Sequence, residues 1–193
     1  MKYLSYNYIT CLQHMKRIYL VLLFLTFGYL GYAQKLQDTF SNMRLGSTIS
    51  TGTVLINVGA RAVYTDEIDT GRYVRVLFED GNFGGEVWDF MEFQYTKEGR
   101  FFRFEVQKIF NNKVLADSFM SQLKARLSNK YPKAVIKDMG ESLRGYIIYF
   151  EGDDNEPNKI RILRSPFHPY YVILDYYNRY WLKKTKERIN DEL

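Results

Sequence analysis

The sequence predicts an α+β domain: a mainly antiparallel sheet in the order ββββ-α-ββββ-α, with two helices packed on one face. Three observations lead there. Apolar and polar residues alternate with period two from Thr53 to Gln107, and strand-like runs return from Ala134 to Leu174. Between them one segment changes to helical spacing, at Leu115, Phe119, Met120, Leu123 and Leu127. Short turns link the strands, which implies antiparallel pairing, and covering one apolar face with helices makes α+β the economical architecture. A barrel closed by a helix is the all-β alternative, and the repeated order suggests a duplication that no residue identity between the halves supports.

The chain opens on an export signal. Ile18 to Leu30 carries no charge and is almost wholly apolar; Lys16 and Arg17 precede it, and Gly31-Tyr-Ala33 follows. A basic start, an apolar run of about 7–15 residues and small residues at the cut form a secretory signal peptide. The run is too short for a membrane anchor, which needs roughly 20 apolar residues. Cleavage after Ala33 is expected to release a protein beginning at Gln34, periplasmic or extracellular, soluble and without a membrane anchor. Met15, just before Lys16, offers an alternative start. Cys11 lies upstream of the apolar run, so the mature chain has no thiol, no disulfide and no lipid-bearing cysteine.

Residues 34–52 are polar with little periodicity and read as a loosely packed lead-in to a single domain over residues 53–193. Val54, Ile56 and Val58 suggest a first strand. Val74, Val76 and Phe78 mark a second, Glu86 to Tyr95 a third, and Phe102, Phe104 and Val106 a fourth. Gly81-Asn82 and Gly84-Gly85 precede the third strand, and Thr96-Lys-Glu-Gly99 forms the hairpin loop after it. Asn111-Asn112 supplies a helix N-cap, and Pro132 ends that helix by excluding Tyr131 from the α region. Ala134–Ile136, Tyr146–Phe150, Ile160–Leu163 and Tyr170–Leu174 give four more strands. The tail from Tyr176 reads as a helix, with Tyr177, Trp181 and Leu182 docking on the sheet.

Charge argues against nucleic acid as a partner. The whole chain has 27 Lys plus Arg against 22 Asp plus Glu; the leader holds Lys2, Lys16 and Arg17 and no acid, leaving 24 against 22, a net charge of +2. Both signs are interspersed, whereas a nucleic-acid binder concentrates basic residues on one face.

The residues for covalent or metal chemistry are sparse. Cysteine catalysis needs a thiol, and the mature chain has none. His168, in Ser165-Pro-Phe-His-Pro169, is its only histidine and reads as an exposed loop residue. Zinc sites draw mainly on His and Cys. The acidic runs Asp66–Asp69 and Asp153–Glu156 lack calcium-loop spacing and read as turns. Gly81-Asn-Phe-Gly84-Gly85 lacks the Lys-Ser/Thr ending of a phosphate loop. No metal site and no cofactor is expected.

Two functions remain. The first is a non-catalytic exported module that binds a protein, peptide or glycan, with Phe83, Trp88, Tyr170 and Tyr171 as contact residues because aromatics gather at strand edges and turns. The alternative is an envelope hydrolase of the glycoside type, using strand carboxylates. Paired carboxylates about 5–10 Å apart perform that chemistry, and Glu86, Asp89 and Glu92 share one strand. Strict alternation would put Glu86 and Glu92 on one face with Trp88 and Phe90, and Asp89 on the other.

Overall fold

The computed structural model describes residues 35–140, 144–150, 157–165 and 169–191, with side chains through Thr185. The leader (Cys11 and Met15 included), the acidic run Asp153–Glu156 and His168 lie outside the described residues. Among the described residues, no helix is long and apolar enough to cross a membrane.

In chain order the elements are β1 (Thr39–Phe40), β2 (Met43–Arg44), α1 (Thr51–Val58), a 3-10 turn (Gly59–Arg61), β3 (Val63–Asp69), β4 (Tyr73–Phe83), β5 (Glu86–Thr96), β6 (Phe101–Phe110), α2 (Lys113–Lys130), β7 (Val135–Asp138), β8 (Gly145–Tyr149), β9 (Asn158–Arg164), β10 (Tyr170–Asn178) and α3 (Arg179–Asp191). The fold is α+β and rich in antiparallel sheet. Eight strands form one sheet in the order β3-β4-β5-β6-β10-β9-β8-β7. Two four-stranded meanders meet where β6 pairs with β10, Val106 opposite Leu174 and Glu105 opposite Asp175. The helix α2 carries the chain from the centre of the sheet to its far edge. Its 18 residues rise about 27 Å at ~1.5 Å each, enough to cross four strand spacings of ~4.8 Å.

One face of the sheet builds the core. Val74, Val76 and Phe78 of β4 lie opposite Tyr95, Phe93 and Met91 of β5, and Phe93 lies opposite Phe104 of β6. Leu174 and Tyr176 of β10 continue the layer to Ile162 and Ile160 of β9. Ala116, Phe119, Leu123 and Leu127 of α2 are buried in the same cluster. Asn112 caps that helix, its side chain accepting from the Val114 N–H at 2.7 Å.

Four expectations are corrected. Residues 51–58 are a helix, not a strand: the Ser50 side chain accepts from the Thr53 N–H, and Val54 and Val58 are buried while Ile56 is 82% exposed. A spacing of four fits both periods, and the N-cap decides between them. Residues 36–49 are not loosely packed; Leu36, Phe40, Met43, Leu45 and Ile49 all enter the core. Phe40 stacks on Phe104 with ring centroids 4.5 Å apart and touches Tyr176 at 4.8 Å. Asp66–Asp69 belongs to a strand, β3, rather than a turn, and pairs with β4 at the edge of the sheet. The tail also differs: β10 runs through Tyr176 and Tyr177 to Asn178 before α3 begins.

Candidate functional site

The β4–β5 hairpin controls where the candidate residues sit. Gly84 and Gly85, with φ of 64° and 79°, form a two-residue turn between Phe83 and Glu86. Positive φ at both central residues is the twist-matched geometry that glycine adopts freely. Asp80 also has positive φ, 52°, and strict alternation fails around it. Trp88, 1% exposed, stands edge-on to Phe119 of α2 at 5.6 Å, and its indole N–H donates to the Phe83 carbonyl at 2.9 Å. Phe83 contacts Phe40, Phe104 and Tyr176 at 5.8, 4.9 and 5.7 Å. Both aromatics therefore belong to the core side of the sheet. Tyr170 is partly buried against the core, with the Arg164 guanidinium 5.8 Å from its ring. Tyr171, its neighbour, lies opposite Ile109 and is half-buried.

The three carboxylates separate. Glu86 receives Arg126 Nη1 of α2 at 2.6 Å. Asp89 accepts the Ile109 backbone N–H at 2.7 Å. Glu92 is buried and takes both Arg75 Nε at 2.7 Å and Nη2 at 2.6 Å, with Gln94 donating as well. Glu86 thus faces the helix, while Glu92 lies on the second face of the sheet. Among the described residues, no group of three or more His, Cys, Asp or Glu side chains is placed to hold a metal.

Phe83, Glu86 and Trp88 do come together at one place, a cavity of about 230 Å³ between the hairpin tip and α2. Trp88, Leu123, Leu127, Leu174 and Tyr176 line its interior, and Gln37, Glu86, Arg126 and Lys130 supply its polar groups. Lys130 Nζ donates to Gln37 Oε1 at 2.9 Å. Burial pushes the Tyr176 hydroxyl far above the ordinary phenol range, so it stays protonated. A second cleft, about 320 Å³, lies between the β5–β6 turn and α3. There Arg100 and Lys184 approach the Trp181 ring, 5.7 and 5.2 Å from its centroid.

The second face of the sheet carries a charged row that strand-by-strand reading missed. Register aligns Leu77, Glu92, Glu105, Asp175, Arg161 and Ile147 across six strands. The three acids are buried, and three half-buried arginines bind them. Arg75 takes Glu92; Arg103 Nε reaches Asp175 Oδ1 at 2.8 Å and also pairs with Glu105; Arg161 Nε reaches Asp175 Oδ2 at 2.8 Å. Gln107 donates to Glu105 at 2.5 Å. Burial raises the Glu105 carboxyl above its ordinary value, Arg103 pulls it down, and Asp175 and Glu92 push it further up. For Arg103, burial opposes the charge, but Asp175 and Glu105 more than restore it. The signal was present in the sequence as alternating charges on β6, but only the pairing of β6 with β10 lines the acids up. Phe90, Ile173 and Leu163 flank the row on the same face, half-buried and outside the core.

Comparison of the chain with protein-family models, with curated proteins and with solved structures finds no match.

Proposed function

We propose that this chain is an exported, non-catalytic binding module that holds a protein or peptide partner on the second face of its sheet. The observation that carries the reading is the row of half-buried guanidiniums fixed from beneath by Glu92, Glu105 and Asp175, beside half-buried Phe90, Ile173 and Leu163. Arginine and aromatic side chains with little freedom left to lose dominate the energetics of protein interfaces. Here the arginine heads are already ordered by buried carboxylates, so a partner immobilises few rotamers on docking. Eight strands at ~4.8 Å spacing extend about 34 Å, a platform matching the ~800 Å² that each side of a standard interface buries.

One further point supports a binding role over hydrolysis. Glu86, Asp89 and Glu92 are each engaged by a different partner, and of the three only Glu86 lines the cavity beside α2. The apolar leader supports export, with Gln34 as the mature N-terminus.

The test compares wild-type protein with the Phe90→Glu/Ile173→Glu double variant. Each is immobilised and exposed to envelope extract from the source cells, and the native N-terminus is read by mass spectrometry. Wild type should retain a discrete protein that the folded variant loses. Equal retention on both, or a native chain that keeps its leader, would overturn the proposal.

A further inference from the structure

Independently of the second face of the sheet, we infer that the free edge of β3 is a docking site for an extended basic segment of another polypeptide, which joins the sheet as a further strand. The backbone comes first. β3 ends the eight-stranded sheet and pairs with β4 on one side. All seven of its residues are exposed, so no described element covers its other side. The opposite edge, β7, has four residues, two of them half-buried. An open edge presents a row of backbone N–H and C=O groups that another strand can pair, and an extended peptide is the partner that makes such main-chain bonds.

The side chains limit what that peptide can be. Val63, Tyr64 and Ile68 of β3 are three of the nine large apolar side chains exposed among the described residues, so the edge offers apolar contact as well as hydrogen bonds. Asp69 is paired with Lys97. Asp66 accepts the Glu67 backbone N–H at 2.7 Å, but neither Asp66 nor Glu67 forms an ion pair among the described residues. Antiparallel pairing of two copies over the full strand would bring the two Asp66 carboxylates face to face, and like charges opposed across strands destabilise the pair. The edge therefore excludes a second copy and suits a basic occupant.

The register also orders the occupant's residues. Asp66 and Ile68 lie opposite Leu77 and Arg75 on the second face of the sheet, and Glu67 lies opposite Val76 on the core face. An antiparallel strand added beside them alternates faces in step. Consecutive residues of that strand meet Ile68, Glu67 and Asp66 in turn: one apolar, then two basic.

Fluorescence anisotropy with the native protein and labelled, end-blocked heptapeptides tests the site. Thr-Val-Ile-Lys-Lys-Thr-Val should bind with one site per chain. Its affinity should exceed that of Thr-Val-Ile-Glu-Glu-Thr-Val roughly three- to tenfold, the range of two exposed ion pairs. The Asp66→Lys/Glu67→Lys variant, changed only at exposed positions, should reverse that preference; thermal melts establish that it folds. Two versions of the basic peptide, N-methylated at the odd or at the even residues, should separate: only one should still bind, because alternate N–H groups point to opposite edges of a strand. The Phe90→Glu/Ile173→Glu variant should bind the basic peptide as wild type does, which separates this edge from the second face. The assignment is overturned if the basic peptide fails to saturate wild type at millimolar concentration, if charge reversal leaves the preference unchanged, or if both methylated peptides bind alike. A wild-type dimer in sedimentation equilibrium that the basic peptide dissociates would assign the edge to a second copy instead, and would overturn it too.

Discussion

Arg103 of β6 and Asp175 of β10 join the two halves of the sheet, Nε to Oδ1 at 2.8 Å, where the two meanders meet. Asp175 is 0% exposed and also accepts Arg161 from the other side, so two guanidiniums share one carboxylate. Asp175→Asn keeps the shape and removes the charge, taking from Arg161 its carboxylate partner and leaving Arg103 with Glu105 alone. Breaking a buried pair in this way costs about 3–5 kcal/mol. Urea unfolding should show a lower midpoint with an unchanged slope; a loss below ~1 kcal/mol would mean that solvent compensates the arginines.

Glu105 has the opposite character. It lies directly between Glu92 and Asp175 across the strands, and burial together with those neighbours holds its folded pKa above the ordinary value despite Arg103. A carboxyl raised on folding binds its proton more tightly in the native state, so its contribution to stability falls as pH rises through the window between the unfolded and the folded pKa. Glu105→Gln removes that dependence. The stability of the variant relative to wild type should therefore improve as pH rises above the ordinary carboxylate range, measured by thermal melting at a series of pH values. A relative stability that worsens with pH would show that Arg103 dominates instead.

The second half of the sheet was legible because its strands are short apolar runs separated by turn residues, and α2 because Asn112, the Phe119–Leu123–Leu127 spacing and Pro132 agree with one another. What escaped reading was non-local. Phe40 stands among polar residues, and nothing nearby indicates that it reaches Phe104 and Tyr176. The faces of Glu86 and Trp88 follow from an irregularity around Asp80, which period-two counting passes over. The charged row needs the β6–β10 pairing, a contact between residues about seventy positions apart. The cavity likewise draws on Gln37, the hairpin, α2 and β10 at once.

Phe40 gives a direct measure of how far residues 36–49 belong to the fold. Its ring contacts Phe83, Phe101, Phe104 and Tyr176, so truncation leaves a cavity lined by rigid aromatics that cannot collapse into it. Phe40→Ala should cost about 3–5 kcal/mol by denaturant unfolding. A cost under ~1 kcal/mol, the level of a surface change, would mean that the segment packs only peripherally.

Gly99 determines whether that same segment stays docked. It closes the β5–β6 turn with φ of +79°, its N–H donates to the Thr96 carbonyl at 2.8 Å, and its own carbonyl accepts the Ile49 N–H at 2.7 Å. A Cβ at this position would meet the Ile49 carbonyl oxygen at 2.6 Å, so any side chain pushes residues 47–49 off the hairpin while also straining the turn. Gly99→Ala should lose roughly 1–3 kcal/mol from the backbone conformation, with a further cost from the displaced segment. The displacement has its own signature: limited proteolysis should cut within residues 41–50 of the variant under conditions where wild type resists. Gly85→Ala serves as the comparison, because it shares the positive φ but meets nothing within 4 Å. If both variants lose the same stability and neither becomes protease-sensitive, the contact between Gly99 and Ile49 does not hold the segment in place.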